Sequence, residues 1–208
     1  MYDSEVLYYP AKDVIFFSAD IHGNTLIRER MQVIRKLAEE KPVTIVTTID
    51  GGIDYVLPLP YIKENCVGLA EGDTVELTDL VTKLVTLGYE RQDQVEHPGE
   101  FAVRGGILDV FALTEETPFR VEFFGDEIDS IRYFDVTNQR SIDRLEQVVI
   151  YPATELILSE GRKAKGILKL QEEAKKQVEF FRKEMKTEEG ARLRRDTEEL
   201  CERISYMG

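Results

Sequence analysis

The sequence predicts an α/β chain of mixed character, with a parallel strand-helix-strand opening, an antiparallel sheet in the middle and a helical end. Three observations predict it. An apolar stripe at helical spacing leads into the β-branched run VTIVTTI at residues 43–49. The stretch FAVRGGILDVFALTEETPFRVEFFGDEIDSIRYFD at residues 101–135 alternates apolar and polar positions between turn residues, as antiparallel strands do. After residue 159 almost every position is charged, polar or part of a helical stripe.

The elements follow in order. With 208 residues and 42% hydrophobic composition, the chain can build one large core or two small ones. VLYYPA and VIFFSA read as strands, and an opening this abrupt reads as that of a fragment. In TLIRERMQVIRKLAEEK, Leu26, Ile27, Met31, Ile34, Leu37 and Ala38 recur at helical spacing, with Asn24 or Thr25 as N-cap and Pro42 beyond the end. VTIVTTI is almost wholly apolar, which predicts a strand buried on both faces of a parallel sheet. Prolines and glycines between residues 58 and 72 mark a domain boundary. Thr78 is expected to cap a helix carrying Leu80, Val81, Leu84, Val85 and Leu87, closed by Gly88.

Three strands are expected in 101–135, with Gly105-Gly106 as a bulge in the first and Gly125-Asp126 as a hairpin turn. If Phe119, Val121 and Phe123 point inward, Arg120, Glu122 and Phe124 share the opposite face. Register across the glycine pair stays open, but a hairpin through TEETP would bring Arg104 near Arg120. A phenyl ring flanked by two guanidiniums has the composition of an interface hot spot. The alternative is a Phe124 packed under its turn, with both arginines paired to nearby acids. YPATELIL marks a second boundary. Beyond it, Ala164, Ile167, Leu168, Ala174, Val178, Phe181 and Met185 form one stripe, and Leu193, Thr197, Leu200 and Ile204 a second, with a break at Gly190. Two antiparallel helices or one kinked helix both satisfy that pattern.

Composition and motifs exclude several functions. A net charge of −13 repels a phosphate backbone, so autonomous DNA binding is disfavoured. Cys66 and Cys201 lack CxxC spacing, which fits a reducing compartment and excludes a cysteine zinc cluster. No apolar run reaches the roughly 18 residues of a membrane span, and no signal segment opens the chain, so a cytoplasmic protein is expected. FFSADIHGN resembles the opening of the two-metal site of calcineurin-like phosphoesterases, yet His22 and His97 are the chain's two histidines and two metals need more imidazoles. A metallophosphoesterase is therefore a remote alternative. P-loop, dinucleotide-fingerprint and G-x-S-x-G strings are absent, and Asp50-Gly51-Gly52 reads as a loop. No catalytic residue, metal or cofactor is expected.

FAVRGGILDVFALTEETPFRVEFFGDEIDSIRYFDVTNQRS is similar to the module shared by the bacterial transcription-repair coupling factors (Mfd) and the excinuclease subunit UvrB. LVTLGYERQDQV and GEF before it, and YPATE after it, extend the resemblance over essentially the whole chain, and FDVTNQRS looks like the coupling factors. The resemblance implies a non-catalytic module that recruits UvrA to stalled RNA polymerase in transcription-coupled nucleotide excision repair. It places the UvrA-binding surface on Arg104, Arg120 and Phe124. It also implies an incomplete helicase-like α/β domain at residues 1–67, an inserted UvrA-binding domain at 68–150 and a mostly helical return at 151–208. The family's first strand and vestigial nucleotide loop have no counterpart here. In this family RNA polymerase, DNA and ATP engage other regions, so no ATPase activity is expected. A UvrB-like damage-recognition unit is the alternative, although the aromatic DNA-probing hairpin of UvrB is missing.

Overall fold

The computed structural model describes residues 5–12, 23–157 and 160–206. Contacts divide the chain into two units, Met1–Ile157 and Leu158–Gly208. The first is mixed α/β. It opens with β1 (Glu5–Tyr9), helix α1 (Gly23–Ala38) and β2 (Val43–Thr47), the two strands pairing in parallel. Met31, Ile34 and Ala38 of the predicted α1 stripe are buried, together with Val33, whereas the predicted Leu37 is exposed. The helix starts at Gly23, so both proposed caps lie within it. The predicted VIFFSA strand, and Asp20 to His22 of the phosphoesterase-like string, lie outside the described residues.

Burial of VTIVTTI on both faces is not found. Most of β2 is exposed, as are Val6 and Tyr8 beside it. β-Branched residues favour a strand wherever it lies, whereas burial needs covering layers, and α1 is the described element packed on this pair. Asp50-Gly51-Gly52, expected as a loop, falls in the short helix α2 (Ile49–Ile53), where the Thr48 hydroxyl accepts from the Gly51 amide at 3.2 Å.

Arg30 of α1 is 0% exposed. Its Nε and Nη2 donate to the two carboxylate oxygens of Glu155 at 2.5 and 3.0 Å, and Nη1 donates to the Pro10 carbonyl and to Asp54. The guanidinium lies 4.1 Å from the Tyr9 ring centre. Burial opposes the Arg30 charge, but Glu155, Tyr9 and Asp54 more than offset it and raise its pKa. Burial and then the Glu155 charge push the Tyr9 phenol up to about 12. One side chain thus ties together β1, α1, the segment after α2 and the chain near residue 155.

Helix α3 (Leu59–Asn65) leads into β3 (Val67–Ala70) and α4 (Leu77–Thr86). The α4 cap is Glu76 and not Thr78, because Leu77 already belongs to the buried stripe; the Thr78 hydroxyl donates to the Glu76 carboxylate at 2.6 Å. Gly88 closes the helix as predicted, with φ +86°, and a Cβ there would lie 2.7 Å from the Thr154 methyl.

A six-stranded sheet follows, built from β4 (Glu90–Arg91), β5 (Glu100–Arg104), β6 (Ile107–Val110), β7 (Phe119–Phe124), β8 (Glu127–Phe134) and β9 (Ser141–Leu145), adjacent in that order. β4 joins in parallel and the rest are antiparallel. β10 (Gln147–Ile150) then returns to pair antiparallel with β3.

Gly105-Gly106 is not a bulge. It is the two-residue turn of a hairpin in which Arg104 faces Ile107, so the single strand expected there is two. Gly105 has φ +62°, and a Cβ on Gly106 would meet the Phe123 carbonyl at 3.0 Å. The bulge in this region lies in β8, where Glu122 faces Ser130 and Phe123 faces Ile128, leaving Asp129 unpaired. Gly125 turns the β7–β8 hairpin with φ +65°. Phe101, Leu108, Val110, Phe119, Val121, Ile128 and Ile131 line the inner face and share one buried cluster with Leu80, Leu84 and Leu87 of the α4 segment.

The second unit holds α5 (Glu160–Lys183) and α6 (Thr187–Tyr206), which pack on each other. Two helices, not one kinked helix, satisfy the stripes. The break falls at Met185, with φ +58°, while Gly190 sits inside α6, beside Val178 and Phe181 of α5. Leu168, Met185 and Leu200 of the expected stripes are exposed. Among the described residues, no helix is long and apolar enough to cross a membrane.

Candidate functional site

The outer face of the six-stranded sheet is polar in its centre and apolar at both ends. Alternation along β7 buries Phe119 and Val121 inward and sends Arg120, Glu122 and Phe124 outward. Register then fixes their neighbours. Ala102, Asp109, Arg120, Arg132 and Arg144 form one row of successive partners across β5 to β9. Arg104, Ile107, Glu122 and Ser130 form the next row toward the glycine turns.

Asp109 organises the centre. It is 1% exposed and accepts from Arg120 Nε at 2.6 Å and Nη2 at 2.9 Å, and from Arg104 Nη2 at 2.6 Å. The Arg120 fork against one carboxylate is the strong, bidentate form of the contact. Arg120 is also held by the backbone and side-chain carbonyls of Gln139 and lies 4.8 Å from the Phe134 ring centre. The Asp109 hydrogen bond, against the opposing effect of burial, raises the Arg120 pKa. The Arg120 side chain is 14% exposed and that of Arg104 is 47% exposed, so the two guanidiniums share an acid but not an environment.

Phe124 lies at the end of β7, beside the Gly125 turn, and is 84% exposed. Its Cα is about 13 Å along the strand from that of Arg120. Glu122 stands between them and accepts from Ser130 Oγ at 2.8 Å. At the opposite end, Val95, Ala102, Phe111 and Phe134 form a second small core, with Val136 packed on it. That cluster fixes the wall against which Arg120 is stacked.

The structure therefore brings Arg104 and Arg120 together at Asp109 and leaves Phe124 in water on the same face. Both arginines do pair with an acid, as the alternative reading expected, while Phe124 does not pack under its turn. Asp109, Phe134 and Arg132 were not singled out in the sequence. The available signal was Asp109 itself, a charge inside the otherwise apolar run ILDVF, which a strand tolerates only with partners.

The UvrB interaction domain family matches residues 67–156. The transcription-repair-coupling factor of Bacillus subtilis is 36% identical over 168 residues, covering 81% of this chain and 14% of that protein. A Staphylococcus aureus transcription-repair-coupling factor is 37% identical over 159 residues, covering 76% of this chain and 14% of its own length. UvrABC system protein B of Thermosipho africanus is 31% identical over 202 residues, covering 97% of this chain and 30% of the relative. The chain thus spans less than a third of each of these relatives. Residues 67–156 belong to the UvrB interaction domain family, within a chain similar over most of its length to the transcription-repair-coupling factors.

Proposed function

We propose that the outer face of the sheet docks UvrA, with Phe124 as apolar anchor and Arg104 and Arg120 as charged contacts. The observation that carries this reading is an aromatic ring left in water on the same face as two arginines held by one buried acid. A phenylalanine in water contributes little to a core, whereas aromatics and arginine dominate the energetics of association. The chain then acts as a non-catalytic adaptor, the part of a coupling factor that recruits UvrA to stalled RNA polymerase in the cytoplasm. Residues 1–67 and 151–208 are the flanking helicase-like and helical segments around an inserted domain at 68–150. DNA translocation, ATP hydrolysis and polymerase contact belong to other parts of such a protein. The UvrB relative covers nearly the whole chain, which favours a second setting, the excinuclease itself, for the same docking face.

The test is Phe124→Ala. UvrA binding, measured by titration calorimetry, should weaken roughly 30-fold, because truncating a central aromatic anchor costs about 2 kcal/mol or more. The thermal midpoint should stay within about 2 °C of wild type, as expected for an exposed side chain. A variant that melts much earlier yet binds UvrA normally when folded would refute the reading.

A further inference from the structure

Arg120, Arg132 and Arg144 stand directly opposite one another on three neighbouring strands of the outer face. Like charges in that position destabilise a sheet unless something neutralises them. Two of the three are neutralised from within the chain. Asp109 holds Arg120, and Glu71 holds Arg144 through a two-pronged contact of 2.6 and 2.9 Å. Arg132, between them, closes no hydrogen bond or ion pair with any described residue, and its Nε is buried without a partner. The Glu71 carboxyl is held below its usual range chiefly by Arg144, with Arg132 the weakest of the influences on it. Glu122, farther along the face, is occupied with Ser130.

A buried Nε without a protein acceptor marks a guanidinium that the chain itself leaves uncompensated. The neighbouring acids are already engaged, Asp109 and Glu71 with other arginines and Glu122 with Ser130. The net charge of −13 makes a local surplus of guanidinium stand out, and such a surplus on an acidic protein attracts a group that the remaining surface repels.

We propose that Arg132 is the receptor for a carboxylate presented by the docking partner, an Asp or Glu side chain of UvrA that completes the arginine row when the face is covered. This rests on the docking reading above and adds both a residue and the chemistry it recognises. The bound carboxylate meets the guanidinium of Arg132 at its terminal nitrogens, since Nε is enclosed, and supplies the negative charge that Asp109 gives Arg120 and Glu71 gives Arg144. Arg132 then carries specificity for an acidic partner group, while Phe124 supplies apolar burial.

The experiment titrates UvrA with wild type, Arg132→Gln, Arg132→Lys and Phe124→Ala at two salt concentrations, and melts each protein alone. Arg132→Gln should bind roughly tenfold more weakly, with a shallower salt dependence, and should melt at or above the wild-type midpoint because a like-charge repulsion is removed. Arg132→Lys keeps the charge without the fork and should fall between the two. Wild-type affinity and salt dependence in Arg132→Gln, with Phe124→Ala still impaired, would overturn this inference alone. A loss of binding in Arg132→Gln that follows a lowered midpoint would also overturn it, by making Arg132 a structural residue. No binding of UvrA by wild type would overturn the docking reading and this inference together.

Discussion

Glu155→Ala should destabilise the first unit by about 3–5 kcal/mol, the cost of leaving a buried charge without its partner. Glu155 supplies both oxygens to Arg30, which has no exposed surface through which to recover hydration. Asp54 would remain at 3.1 Å, but it is a single partly exposed contact and cannot replace a bidentate acid. The guanidinium cannot escape by losing its proton, since arginine stays charged in proteins. Chemical denaturation followed by circular dichroism measures the loss. The double variant Arg30→Met/Glu155→Leu should recover much of it, because well-packed apolar replacements of a buried pair are often near neutral. Equal destabilisation in the single and double variants would mean that packing at these positions, and not the stranded charge, sets the cost.

Asp109→Ala should cost about 3 kcal/mol, which lowers the midpoint by roughly 6–12 °C for a unit of this size. The loss falls on Arg120, stacked over Phe134 and mostly enclosed, while the half-exposed Arg104 can turn into water. Arg104→Ala should therefore cost less, about 1 kcal/mol, because the buried Asp109 keeps both contacts to Arg120. Asp109→Asn keeps an acceptor but not the charge and should lie between them. Differential scanning calorimetry of the three variants ranks them, and an Asp109→Ala midpoint no lower than that of Arg104→Ala would remove the organising role from the acid.

How much of this was readable in the sequence depended on whether the signal was local. Most of the α1 stripe, the Gly88 cap, the Gly125 turn and the alternation along β7 are set by spacings of a few residues, and the structure has them. Arg120 and Phe124 could be placed on one face for that reason. The role of Asp109 could not be read, because its two partners arrive from a hairpin and a neighbouring strand whose register the sequence leaves open. Gly105-Gly106 was misjudged because a bulge and a tight turn make the same demand for positive φ, and cross-strand pairing decides between them. The exposure of β2 was invisible, since a β-branched run records preference for a strand and nothing about what lies above it. At Met185 a non-glycine residue takes the left-handed conformation that ends α5, so the break carries no glycine to announce it.

The pairing of β3 with β10 has a mechanical consequence. Val67 and Ile150 are partners in register at the point where the chain enters and leaves the whole sheet-bearing segment. Once the Arg30–Glu155 tie outside it has parted, tension along the backbone arrives at one and departs from the other, so it acts on this four-pair clasp and peels it from its end. The loop of chain beyond the clasp, with Arg104, Asp109, Arg120 and Phe124 on it, stays slack until the clasp opens. A pull transmitted from either flank would thus leave the proposed docking face in its relaxed shape, and a single-molecule stretching trace should show the clasp yielding before the sheet.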